Sequence, residues 1–141
     1  MLEVSRYLKI FLKQNNFEHS GFWCFSQSGK IDYKSKLEAQ KTNCVYIWLA
    51  RKNEKMIPLY FGKARKGVSA RMKQHLGGFR EDKNGSVSGR RKRKILEILL
   101  DSKWAIEVYS RESLTTKSMQ GELIDFNTPI GKKINQPSVS L

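Results

Sequence analysis

Acidic residues are scarce in this chain: 13 Asp and Glu stand against 27 Lys and Arg in 141 residues, a formal net charge of +14. An excess of one sign this large costs stability by self-repulsion, so an anionic partner is expected. Nucleic acid fits better than an anionic membrane surface. The cations are spread over several segments, and no basic amphipathic helix carries a large apolar face. Cysteine is scarce too. Two thiols, Cys24 and Cys44, build neither a disulfide framework nor a zinc cluster, and both sit in apolar, strand-like runs as buried free thiols would. No apolar run approaches the ~18 residues of a membrane span. Charges interrupt the apolar pattern of the first segment, which therefore does not read as a signal peptide, and an intracellular location is expected. There is no internal repeat, no long low-complexity tract, and nothing resembling a Ser-His-Asp triad. The length suits one domain with one core.

What the chain does contain is concentrated between Cys44 and Leu76. Two aromatic and β-branched runs, Cys44–Ala50 and Pro58–Gly62, flank a polar turn region, which predicts a hairpin. A Gly-containing loop, Lys63–Val68, leads into a helical pattern that places Arg71 and His75 one turn apart on one face. Tyr46, Tyr60, Lys63, Arg71 and His75 thus fall close together.

The flanking segments give a coarser reading. Residues 2–14 space Leu2, Leu8, Phe11 and Leu12 as an amphipathic helix ended by Asn15-Asn16. Residues 20–34 read as a hairpin turning at Ser28-Gly29, and residues 35–42 as a short helix or linker. Gly77–Gly89 is rich in Gly, Ser, Asn and charge and predicts a long exposed loop. A helix is expected over Arg90–Leu100, with Ile95, Leu96, Leu99 and Leu100 as its apolar stripe. Its first turn would be Arg90, Arg91, Lys92, Arg93 and Lys94, cations set against the helix dipole. Phosphate contact explains such a placement, and a solvated basic face is the alternative. Trp104–Ser110 alternates as a strand, and Lys117–Phe126 is helical with Met119, Leu123 and Phe126 on one side, closed by Pro129.

Cys44-Val45-Tyr46 and Tyr60-Phe61-Gly62, on adjacent strands, followed by Arg71, Glu122 and Asn135 in that order, resemble the core of the GIY-YIG nuclease superfamily. Cys44 stands where the superfamily has its first glycine, Phe61 replaces a smaller aliphatic residue, and the spacer between the tyrosines is longer than usual. Lys63 directly after the glycine also matches. His75, four residues past Arg71, is similar to the branch containing certain type II restriction enzymes. The resemblance spans about residues 44–136 and leaves residues 1–43 as an N-terminal extension of helix plus hairpin, beside a core at 44–141. It implies an α/β fold with a small antiparallel three-stranded sheet, residues 44–50, 58–62 and 104–110, flanked by helices.

The activity it implies is metal-dependent hydrolysis of DNA phosphodiester bonds, in a restriction-like, phage or mobile-element enzyme. That chemistry needs an activated water, neutralisation of the phosphate and help for the leaving oxygen. Glu122 would hold one Mg²⁺ or Mn²⁺ ion, with Asp125 as the competing ligand. Arg71 would clamp the scissile phosphate through its planar fork. Tyr46 would serve as general base or position the water, although a phenol of pKa near ~10 is a poor base unless a cation such as Lys63 lowers it. Tyr60 would hydrogen-bond the water or the phosphate, Lys63 and His75 would bind phosphate or support the base, and Asn135 would order the site. Lys63, Arg65, Lys66 and Arg90, Arg91, Lys92, Arg93 and Lys94 would contact the nucleic acid. The expected partner is double-stranded DNA. One such site cuts one strand, so a double-strand break needs a homodimer or two successive nicks. A repair nickase, and a non-catalytic DNA- or RNA-binding module on the same fold, are the alternatives.

Overall fold

A computed structural model of the chain describes residues 2–36 and 42–113, with side chains from Ser5 onward. Within these residues the order is α1 (Leu2–Gln14), β1 (Glu18–Phe25), β2 (Ile31–Ser35), β3 (Cys44–Lys52), β4 (Lys55–Ala64), α2 (Val68–Gly78), α3 (Val87–Asp101) and β5 (Ala105–Glu112). The five strands form one antiparallel sheet in the order β2-β1-β5-β3-β4. The α/β class is as expected, but the sheet is larger than the three strands the resemblance implied. The N-terminal hairpin joins it because β1 pairs with β5, with Trp23 opposite Ile106 and Phe22 opposite Glu107. Alternation along a sequence marks a strand but not its partner, and this pairing links distant parts of the chain. The expected helix at 117–126, with Glu122 and Asp125, lies outside the described residues, as does Asn135. Among the described residues no helix is long and apolar enough to cross a membrane.

β3 organises the packing. Its residues Cys44 to Ala50 are all buried, because helices cover both faces of the sheet at this strand. On one face α1 sets Leu8, Phe11 and Leu12 against Val45, Ile47, Leu49 and Met56. The spacing i, i+3, i+4 puts those three α1 side chains on one stripe. Ser5 fixes α1 to β4: the Met56 amide donates to Ser5 Oγ at 2.7 Å. α1 ends where Asn15-Asn16 predicted, with Asn15 Nδ2 donating to the Phe11 carbonyl at 2.9 Å and Asn16 in the left-handed region at φ 57°.

On the other face Tyr46, Trp48, Trp23, Ile106 and Val108 pack against Met72 of α2, Phe79 and Leu96 of α3. Trp23 and Trp48 are the largest fully buried side chains among the described residues and meet edge to face, 5.2 Å between centroids. Truncating either to Ala would cost about 3–5 kcal/mol.

Three boundaries differ from expectation. β3 and β4 run on to a tight turn at Asn53-Glu54, with Lys52 opposite Lys55 and Asn53 at φ 57°. The charged residues here, which read as loop, form an exposed ribbon. Gly62 and Lys63 therefore lie in β4, not at the opening of a loop. The loop expected over Gly77–Gly89 is also much shorter. α2 continues to Gly78 and α3 begins at Val87, capped by Ser86 Oγ, which accepts from the Gly89 amide at 2.9 Å. Phe79, inside the expected loop, is a core residue at 4% exposure. Gly89, read as loop punctuation, serves packing instead. A Cβ on Gly89 would lie 2.1 Å from the Gly78 carbonyl oxygen, so only glycine lets α2 and α3 approach at this corner.

Candidate active site

Four of the residues singled out by sequence converge on the helix-covered face of the sheet. Tyr46 comes from β3, Tyr60 from β4, and Arg71 and His75 from α2. β-sheet pleating aims Tyr46 and Trp48 to one side of β3, and pairing sets Tyr46 opposite Gly62 and Trp48 opposite Tyr60. Gly62 is where glycine is needed: a Cβ there would lie 2.7 Å from Tyr46 Oη, so the phenol occupies the space that a side chain would fill.

The centre of the cluster is a bond between Tyr46 Oη and His75 Nε2, 2.8 Å long and buried. Aromatics surround the His75 ring, with centroids 4.8 Å away for Trp48, 5.4 Å for Tyr60 and 6.1 Å for Tyr46, all edge-on. Burial, reinforced by the cations of Arg71 and Lys92, pushes the His75 pKa down to about 3. The imidazole is therefore neutral at physiological pH. Tyr46 is wholly buried. Burial, with the Tyr60 phenol beside it, drives its pKa up, and the neighbouring Arg71 guanidinium opposes this only in part. That direction is opposite to the lowering that a catalytic base needs, and it is Arg71, not Lys63, that supplies the opposing charge. Tyr60 and Arg71 are half-buried and form the open rim. Arg71 is steadied by donating to Gln74 Oε1 at 2.8 Å.

Beside them, Lys63, Arg65, Lys66, Gly67, Ala70, Arg71 and Gln74 line a depression of about 300 Å³ at the start of α2. No acid lies in the first turn of α2, and Gly67 precedes it without a side-chain cap. Four cations, Lys63, Arg65, Lys66 and Arg71, thus line one shallow basin beside a helix start that carries no acid, an arrangement suited to phosphate.

No family model matches the sequence, and no curated protein matches it. A solved structure does. The chain is similar in fold to bacteriophage T4 EndoII, at a TM-score of 0.57 and 20% identity, over 75% of this chain and 73% of that one.

The five cations at 90–94 do not act as one patch. They sit further into α3 than expected, since the helix begins three residues earlier. Lys92 turns inward, its Nζ 4.4 Å from the centre of the Tyr60 ring. Arg93 binds the α2–α3 corner: it donates to the Phe79 carbonyl at 2.6 Å, pairs with Glu81, and lies 3.5 Å from Glu97. Arg90 reaches the Arg80 carbonyl at 3.3 Å. Arg91 and Lys94 are exposed. Trp48 is a neighbour of the site that sequence reasoning missed, whereas Lys92, expected to contact nucleic acid, lies over the Tyr60 ring. Strand alternation from Tyr46 would have found Trp48. Nothing local marks Lys92 apart from its basic neighbours.

Among the described residues no group of three or more His, Cys, Asp or Glu could hold a metal ion. The described wall of the pocket supplies phenols, an imidazole and cations, and these do not fit a hard divalent ion, which takes oxygen ligands from carboxylates. The carboxylates that sequence assigns to it, Glu122 and Asp125, lie outside the described residues.

Proposed function

We propose that this chain is a DNA endonuclease of GIY-YIG type, hydrolysing phosphodiester bonds with a divalent metal ion held by Glu122. The observation that carries this reading is the convergence of Tyr46, Tyr60, Arg71 and His75, from two strands and a helix, beside a cation-lined basin. The likeness in fold to a phage EndoII supports it, as does the net charge of +14.

In this reading the basin of Lys63, Arg65 and Lys66 receives the DNA backbone. Arg71, at its edge, takes the scissile phosphate with its planar fork and offsets the charge that builds there. Tyr60, on the open rim, hydrogen-bonds the attacking water or a phosphate oxygen. Tyr46 and His75 form the layer beneath. With His75 neutral and Nε2 unprotonated, the Tyr46 hydroxyl donates to it and keeps its oxygen lone pairs for a donor on the substrate side. Tyr46 then supports Tyr60 and Arg71 from beneath and does not act as the base, because its proton is held tightly and His75 has little affinity for it. The metal, when bound, supplies the lowered water pKa and the charge neutralisation that this wall of the pocket lacks. Asn135 would order the Glu122 carboxylate, as the resemblance implies. One site cuts one strand, so cleavage of both strands calls for a homodimer or two nicks; a restriction, phage or repair setting is equally served by this chemistry.

The test is nicking of supercoiled plasmid with and without Mg²⁺, by the parent protein and by Glu122→Ala. Metal-dependent nicking by the parent, and DNA binding without nicking by the variant, is expected. A parent that binds DNA but never cuts it would sink the enzyme reading and leave a binding module on this fold.

A further inference from the structure

With Lys92 turned to Tyr60 and Arg93 to the α2–α3 corner, Arg91 and Lys94 are left on the outer face of α3. Three large apolar side chains are prominently exposed among the described residues: Ile10, Val87 and Ile98. Two of them share α3, Val87 at 69% and Ile98 at 53% exposure. The spacing 87, 91, 94, 98 runs along one side of a helix, so Val87, Arg91, Lys94 and Ile98 form a single stripe. Together with Arg90 they line a shallow depression of about 410 Å³. This stripe lies opposite the side of α3 that carries Lys92 and Leu96 inward. Acids are nearly absent from it. Glu97 is drawn aside toward Arg93, and Asp101 comes only at the helix end.

Exposed aliphatic side chains at both ends of a row of cations match a surface with anionic walls and an apolar floor. A DNA major groove has that form. Its phosphates flank base edges that include thymine methyl groups, and its width of about 12 Å admits one helix. Val87 and Ile98, eleven positions apart, are separated by roughly 16 Å along the axis, enough to touch base edges across a few base pairs. A second copy of this chain fits poorly, because pairing like stripes would oppose cations to cations.

We infer that α3 docks its outer face, Val87, Arg91, Lys94 and Ile98, in the major groove of duplex DNA, the two cations meeting phosphates and the two aliphatic residues meeting base edges. The inference rests on the nuclease reading only for its choice of DNA. It assigns α3 two sides, one closing over Tyr60 and one holding the substrate.

Binding to a duplex of mixed sequence, measured without divalent metal over a range of salt, tests it independently of cleavage. Arg91→Ala with Lys94→Ala should reduce the slope of log affinity against log salt by about two, roughly one for each phosphate left without its cation. Val87→Ser with Ile98→Ser should weaken binding about tenfold with the slope unchanged. Lys9→Ala with Lys13→Ala, on α1 across the sheet, should alter neither. All six residues are exposed, and unchanged melting temperatures confirm that the variants fold. A parental slope in the Arg91/Lys94 variant overturns the inference and leaves an acidic protein as the occupant of the stripe. Parental affinity in the Val87/Ile98 variant overturns it as well. A parent that binds with the expected slope changes in its variants, yet fails to cut plasmid, would sink the nuclease reading alone.

Discussion

The Tyr46 hydroxyl and His75 Nε2 lie 2.8 Å apart, a bond that joins β3 to α2 across 29 residues. It satisfies two buried polar groups at once, and it locks the imidazole on which the surrounding ring packing depends. Removing one partner costs the other this bond. His75→Ala should lower stability by about 1–3 kcal/mol from the lost buried hydrogen bond, plus the loss of packing against Trp48. Chemical denaturation of the parent and variant measures this, and a smaller loss for Tyr46→Phe with His75→Ala together would confirm the coupling.

The same histidine makes stability depend on acid. Its folded pKa, about 3, lies below the ordinary value of 6.5. Between those values the unfolded chain binds the proton and the folded chain does not. Stability is therefore fully present above pH 6.5 and falls as the pH drops toward 3, by at most about 1.4 kcal/mol per pH unit for this one group. His75→Gln should flatten the melting-temperature profile between pH 6.5 and about 4. A profile unchanged from the parent's would show that His75 does not titrate this way.

Gly62 faces the ring of Tyr46 with no room for a side chain. Gly62→Ala places a methyl 2.7 Å from the hydroxyl oxygen, so the phenol must move or β4 must shift. A loss of about 1–3 kcal/mol is expected. Plasmid nicking should fall further than stability accounts for, because the displaced phenol also releases His75. Melting temperature and nicking rate, measured on the same preparation, separate the two effects.

Arg71 stands between the buried pair and the basin. Arg71→Ala should slow nicking on the order of 10²–10³-fold. Arg71→Lys should recover little, since a point charge lacks the two-pronged donor geometry. Duplex binding should change by far less in either variant. Full rescue by lysine would show that only charge is needed.

Lys92 presses on the site from α3, over the Tyr60 ring and against His75 electrostatically. In Lys92→Met a cation that disfavours the imidazolium is gone, so the His75 pKa should rise from its depressed value. Titration of the ring protons by NMR reads this directly, and an unmoved titration would place Lys92 outside the site.

Much of the architecture was legible from local pattern. α1 showed in the spacing of Leu8, Phe11 and Leu12, and β3 in the aromatic and β-branched run Cys44–Ala50. Tyr46, Tyr60, Arg71 and His75 were marked by residue type and order. Boundaries misled where charge or glycine served geometry: the ribbon around Asn53-Glu54 and the close corner at Gly89 both read as loop. The row at 90–94 misled most, for five like charges look alike in sequence and are sorted only by the direction each leaves the helix.

What the sequence determined alone was therefore most of the elements among the described residues and the basic character, because periodicity and charge are local properties. Tertiary structure decided the pairing of β1 with β5, the burial that keeps Tyr46 protonated and His75 neutral, and the inward turn of Lys92. Each of these depends on which distant surfaces exclude water from one another, and no short stretch of chain contains that information.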